Sequence, residues 1–381
     1  MPVDVMRTRV PVEAIAADAA AVDETGAFPT RAIAALRDAG LLGLAVPEAH
    51  GGVGAPLGAI AAAVESVAGA CCSTGMVYAM HVCATATIAA GAGDRVDGPL
   101  AETLRRIAAG EHLTTLAFSE RGTRSHFWAQ ASRATVVDGR VVIDAEKTFV
   151  TSAREADSYV VATGAVGCEG ALETELYLVD ASSVGVRVGA PFDGLGLRGN
   201  DSSPILFDGV ALDVDRRVGP AAGGLAVMLT ATLPAFTTAC AACCLGLAES
   251  SLANAAAHVS TARLSHLDDS ALRDLPTIRQ RLGSARVRIL ETRGLLAETI
   301  RLVEADDPSA GLAVLALKAS GAEMAIAVTD EAMRACGGAA FSRQIPLERC
   351  FRDARASAVM APTSDLVREF LGRATTGLDL L

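Results

Sequence analysis

Aromatic side chains make up only 4% of this 381-residue chain. Its interior therefore rests on many small apolar side chains, and the abundance of alanine and glycine suits helices that pack closely. Metal-ligand arrays are missing too. The nine cysteines form no CxxC…CxxC pair and no Cys/His set with ligand spacing, so no metal centre is expected. Cys240, Cys243 and Cys244 fall at helical spacing and read as small core residues, and the thiols as a group predict a reducing, cytoplasmic setting. Positive charge is short: the net charge of -11 disfavours nucleic acid and anionic membrane surfaces, which need a basic face. The opening MPVDVMRTRVPVEA carries charges where a secretory signal would be apolar. No P-loop, GxSxG or HExxH occurs, and the glycine-rich HGGVGAP lacks the strand-then-helix setting of a dinucleotide fingerprint.

Apolar residues, by contrast, make up 51% of the chain, and the length predicts two or three packed units. Residues 66–93 and 221–248 contain no Asp, Glu, Lys or Arg and are long enough to cross a bilayer of about 30 Å. Gly, Ser and Thr dilute both; His81 sits in the first and Pro234 in the second, and neither has a basic flank. They read as buried helices, with no membrane span. The hydrophobic period is helical over 1–113, as in TRAIAALRDAGLLGLAV. It changes to short β-branched runs over 114–218, where VVDGRVVI signals a hairpin turning at Asp138-Gly139. The helical period returns over 219–381 in long amphipathic stretches. A mostly α fold follows, with a central β-domain between two helical parts.

Chemistry-bearing residues gather at strand ends, in LAFSERGTRSHFW and EKTFVTSAREAD. Ser119, Ser125, Phe149 and Thr151 offer hydroxyls beside a flat ring; they suit a planar heterocycle, and equally a plain hydrogen-bonded strand edge. His126 is the imidazole of this segment and a weak proton-transfer candidate against the reading of a surface histidine. Near the C-terminus two helical runs flank Ala361-Pro362-Thr363-Ser364. Pro362 removes a donor, while Thr363 or Ser364 can cap the second helix with Asp365 in its first turn.

Five blocks in order resemble the acyl-CoA dehydrogenases: ALRDAGLLGLAVPEAHGG, FSERGTRSHFW, AEKTFVTSAREADSYVVAT, GLGLRGNDSSPILFDGVAL and CGGAAFSRQIPLERCFRDARA. The resemblance implies an N-terminal helical domain, a middle β-barrel or sandwich, a C-terminal four-helix bundle, bound FAD, and a homotetramer or homodimer. It places Phe118 and Ser119 at the flavin's pyrimidine side, Ser125 near the pyrophosphate, Phe149 against the ring and Thr151 near N5. Gly337, Gly338 and Arg263 would meet a neighbour's FAD, and Thr363 and Asp365 the flavin's polar chain. An electron-transfer partner or a flavin reductase completes the redox cycle in such enzymes.

The resemblance fails on the substrate side. The family's usual catalytic glutamate corresponds to Ala361, and its following glycine to Pro362. The second home of that glutamate, within 233–238, holds no carboxylate, and Thr237 stands near the place of a CoA-binding arginine. In the strand-end segment Arg121, Arg124 and His126 replace proline, glycine and aspartate. Arg124, Thr237 and Ala361 therefore mark the substrate pocket, and no catalytic base is assigned. Three functions are expected to compete: oxidation of the CH-CH unit of an acyl thioester, on CoA or a carrier protein, with a non-standard base; flavin-dependent monooxygenation, which needs no α-proton base; and flavin binding without dehydrogenase activity.

Overall fold

The computed structural model describes residues 3–124, 126–170 and 172–380. Six helices open it: α1 (Val3–Arg9), α2 (Val12–Thr25), α3 (Thr30–Asp38), α4 (Leu57–Ala70), α5 (Cys72–Ala92) and α6 (Pro99–Ala108). Helix α5 is buried on nearly every face, with Ala90 near its end exposed, as a helix apolar all round must be. Its His81 is fully buried: Nε2 donates to the Leu42 carbonyl at 3.0 Å, and Nδ1 accepts from the Thr114 amide at 3.2 Å. One neutral tautomer satisfies both bonds, joining the helical part to the first strand.

The middle of the chain forms one curled seven-stranded sheet of β1 (Thr114–Ala117), β2 (Arg133–Val137), β3 (Arg140–Val150), β4 (Ser158–Gly164), β5 (Thr174–Asp180), β6 (Val186–Val188) and β7 (Ser203–Leu212). The order is β1-β4-β2-β3-β7-β6, with β5 also on β4. Strand β4 pairs with β1 and β2 in parallel and with β5 antiparallel, so it bends between neighbours and the sheet curls around it. The expected hairpin is present: Val137 pairs with Arg140 across Asp138 and Gly139, both at positive φ (52° and 79°), as a type I′ turn requires.

The last part packs α8 (Leu233–Thr261), α9 (Pro276–Glu304) and α10 (Ala310–Cys336) with α12 (Leu347–Val359) and α13 (Ser364–Thr376); α7 (Gly224–Val227) and α11 (Gly338–Phe341) are single turns, and β8 (Arg263–Leu264) pairs with β9 (Ser270–Ala271). A π-turn over Met228–Thr232 leads into α8, where Pro234 falls in the first turn. Cys240, Cys243 and Cys244 are core residues, and all nine cysteines are free thiols. Among the described residues three helices have the length and composition to cross a membrane, 72–92, 224–261 and 310–336; 83%, 50% and 56% of their most apolar windows are buried inside the protein.

Candidate active site

Strand β3 alternates inward and outward residues, and at one inward position it carries Lys147 instead of an apolar side chain. The ammonium is fully buried. It lies 2.6 Å from Glu120 Oε1 and 2.8 Å from Gln130 Oε1, and it donates to the carbonyls of Ala162 and Phe118. Glu120 also accepts from the Ala131 and Ser132 amides (2.5 and 3.1 Å) and from the Ser132 hydroxyl. Burial pushes the Lys147 pKa down to about 8, with Glu120 opposing the fall. Burial alone would raise Glu120, yet Lys147 holds its carboxyl below the ordinary value, so the pair is ionised at neutral pH.

This pair fixes a ledge. Glu120 bridges to Lys147 in antiparallel register, and the Ser119 carbonyl accepts from the Thr148 amide at 2.8 Å. Phe118 and Ser119 therefore run beside Phe149 and Thr151 on one sheet edge. Phe149 is 67% exposed at φ 54° and stacks on Phe192, with centroids 4.4 Å apart. Thr151 is buried at the end of the same strand. Ser125 lies outside the described residues, and Arg124 and His126 are exposed.

Behind the ledge stands an apolar wall of Phe118, Phe127, Trp128, Val227 and Met228, against which Leu233, Ala361, Leu366 and Phe370 pack. Ala361 is half-buried there, one residue past the carbonyl of Met360. Lys318 on α10 reaches that point: its buried ammonium donates to the carbonyls of Ser357 (2.8 Å) and Met360 (3.3 Å), capping the end of α12. Thr363 caps α13 by accepting from the Leu366 amide; Asp365 follows in the first turn, exposed. Arg352 and Asp353 hold α12 from its other side. Arg352 grips both oxygens of Asp23 (2.9 and 2.6 Å), and Asp353 accepts from the Leu197 amide at 2.6 Å.

On the helices that carry this wall, Glu249 pairs with Arg286 and Arg293, Glu323 pairs with Arg368 through one oxygen while its Oε1 is buried without a partner, and Asp353 accepts from the Leu197 amide. Thr237 on α8 is fully buried, and its hydroxyl has no hydrogen-bond partner; Ser364, at the start of α13, is in the same state. Among the described residues no cluster of His, Cys, Asp and Glu could hold a metal ion.

Arg263, Gly337 and Gly338 lie apart from this group. Arg263 follows the C-terminal end of α8 and the glycines follow that of α10, whose Cys336 packs on Ala255; Gly337 is roughly 28 Å along α10 from Lys318 at 1.5 Å per residue. Gly337 has φ 59°, and a Cβ there or at Gly338 would meet open space. Two recesses, of about 360 and 550 Å³, are lined largely by charged residues such as Arg106 and Asp180, or Asp23 and Arg352.

The sequence reading passed over Lys147, Glu120, Lys318, Trp128 and Phe370. A lone lysine inside an apolar stretch, as in AVLALKASGAEM, was the available signal for Lys318; nothing local announced the partner of Lys147.

Comparison with known proteins fits this architecture. The chain matches the acyl-CoA dehydrogenase N-terminal domain over residues 7–111, the middle domain over 115–210 and the C-terminal domain over 222–376. A probable acyl-CoA dehydrogenase of Mycobacterium tuberculosis is 25% identical over 360 residues, 94% of this chain and 91% of that protein. Butyryl-CoA dehydrogenase from Megasphaera elsdenii superposes with a TM-score of 0.89 at 20% identity, covering 99% of both chains. TdsC from Paenibacillus sp. A11-2, solved with FMN and indole, superposes with a TM-score of 0.86 at 20% identity, covering 98% of this chain and 96% of its own. The chain belongs to the acyl-CoA dehydrogenase family of FAD-dependent flavoenzymes.

Proposed function

We propose that the chain is an FAD-dependent oxidoreductase acting on the CH-CH unit of an acyl thioester, with a proton acceptor other than a carboxylate at position 361. The observation that carries this reading is the convergence of Phe118, Ser119, Phe149 and Thr151 on one edge clamped by Lys147 and Glu120. The residues present fit a flavin: Phe149 offers an open ring face, and Ser364 a buried hydroxyl that lacks a partner. When bound, the flavin supplies the hydride acceptor. Ser119 and Thr151 would hold its polar edge, Phe149 would back the ring, and Trp128, Leu233 and Phe370 would keep water from the reacting carbons. An electron-transfer partner would reoxidise it, and the free thiols suit a reducing cytoplasm.

A second copy of the chain belongs to this reading. Arg263, Gly337 and Gly338, at the far ends of α8 and α10, would serve a neighbour's flavin. Helix α9 offers a face for such assembly: Val287 and Leu290 are 54% and 56% exposed, on one stripe with Gly283 and Gly294, where open space surrounds the backbone.

One observation favours flavin-dependent monooxygenation instead. Ala361 packs against apolar side chains and itself offers no group that could take an α-proton. TdsC, which shares the fold, was solved with an aromatic heterocycle. The flavin-loaded protein should be mixed anaerobically with acyl thioesters, then with a flavin reductase, oxygen and indole. Bleaching by a thioester supports the first reading; oxygen uptake coupled to an oxygenated product supports the second. Protein that cannot be loaded with FAD overturns both.

A further inference from the structure

The segment between β1 and β2 carries, among its described residues, a cation without an ion-pair partner. Glu120 fastens its base by accepting from Ala131 and Ser132. Phe127 and Trp128 turn inward and are buried. The tip is held by the His126 amide on the Thr123 carbonyl (3.1 Å) and the Ala129 amide on the His126 carbonyl (3.0 Å). Arg121, Arg124 and His126 are left facing solvent. Arg121 lies 3.5 Å from Glu146, and His126 turns Nδ1 to the Thr123 carbonyl at 3.2 Å. Arg124 has no hydrogen bond or ion pair among the described residues, and it stands at φ 51°, a backbone that glycine adopts more easily.

The position gives that charge its meaning. Two residues on, the His126 ring meets Trp128 edge-on at 5.2 Å, and Trp128 meets Phe370 at 5.4 Å, beside Ala361. One exposed guanidinium thus stands on the loop that supplies Phe127 and Trp128 to the apolar wall. The protein as a whole, at -11, repels anions at long range. A local cation on a preformed loop would reverse that at one point, and a guanidinium can grip an oxyanion with two parallel bonds.

We propose that Arg124 selects a substrate carrying an oxyanion, either the phosphate of a thioester carrier or a carboxylate of the substrate itself, with the apolar body against Trp128 and Phe370. The proposal rests on the reading that substrate enters over this wall, so its test avoids turnover. Trp128 is the single tryptophan and reports from inside the loop. The flavin-loaded full chain is titrated with adenosine 3′,5′-bisphosphate and separately with glutarate, following Trp128 emission. One of the two should shift the emission saturably, the bisphosphate assigning a phosphate and glutarate a carboxylate. Arg124→Gln should weaken that binding about tenfold or more, the loss of a charge-assisted pair, and Arg121→Gln much less. No saturable change with either anion, or equal loss in both variants, overturns the proposal. Intact anion binding in a protein that fails to oxidise any thioester would sink the functional reading and leave Arg124 in its role.

Discussion

Trp128 and Phe370 meet with ring centroids 5.4 Å apart, tilted by 47°, across the junction between the β-sheet loop and the last helix. The contact seals the apolar wall behind Ala361, and it is made by residues 242 positions apart in a chain with few aromatics. Phe370 is half-buried, so Phe370→Ala should cost less than a core truncation, about 2 kcal/mol. It should also move Trp128 emission to the red as water reaches the indole. Unchanged emission in a folded variant would show that the wall is sealed by other groups.

The buried Lys147–Glu120 pair makes a sharper prediction. Removing one partner strands the other charge, so Lys147→Met and Glu120→Gln should each destabilise by about 3–5 kcal/mol and lower the flavin content of purified protein. The double variant should be more stable than the sum of the two losses implies. Additive urea-unfolding energies would mean that the pair is not coupled.

How far the sequence reached depended on how local each signal was. The Asp138-Gly139 hairpin and the break before Thr363 are set by neighbouring residues, and both were readable. Cys240, Cys243 and Cys244 were placed in the core because helical spacing puts them on one face. The Lys147 ledge was not readable from the residues, since its stability comes from a partner 27 positions away on another segment. Phe149 shows the same limit: its ring stacks on Phe192, which no local pattern connects to it. The division of the expected flavin residues between ledge and far bundle end became visible only when α8 and α10 were seen to run side by side.

Acid should loosen the junction between the first helices and the sheet. Burial drives His81 down to about 4, below an unfolded value near 6.5. The folded state binds fewer protons than the unfolded chain in that window, so this contribution is complete above about pH 6.5 and is lost as the pH falls toward 4. Its full size is on the order of 3 kcal/mol. Burial lowers His112 as well, which adds to the same slope. Urea unfolding at pH 7.5, 6 and 5 should show the decline, and His81→Gln, which keeps a donor and an acceptor, should flatten it in part. A slope identical in the variant would remove His81 from the account.

Assembly should respond to the face of α9. Val287 and Leu290 share a stripe with two glycines, so Val287→Glu with Leu290→Glu puts charge where a helix would dock, without disturbing the core. Sedimentation should show a smaller species than the parent at the same concentration. An unchanged mass would place the interface elsewhere.

Placing a glutamate at position 361 should not speed thioester oxidation. A positioned general base is worth about 10²–10⁴ in rate, so a restored one would be obvious in thioester-driven flavin bleaching. In Ala361→Glu the new carboxylate would stand among Phe118, Trp128, Leu366 and Phe370. The nearest buried cation, Lys318, is already committed to the Ser357 and Met360 carbonyls. Such a group is driven toward its neutral form, which cannot accept a proton at pH 7. Pro362 restricts the backbone of residue 361 itself and limits the angles from which a carboxylate could approach the substrate. Stopped-flow bleaching within about tenfold of the parent is expected, well short of the gain a working base would give. Acceleration by about a hundredfold or more would mean that the site lacks nothing but its base.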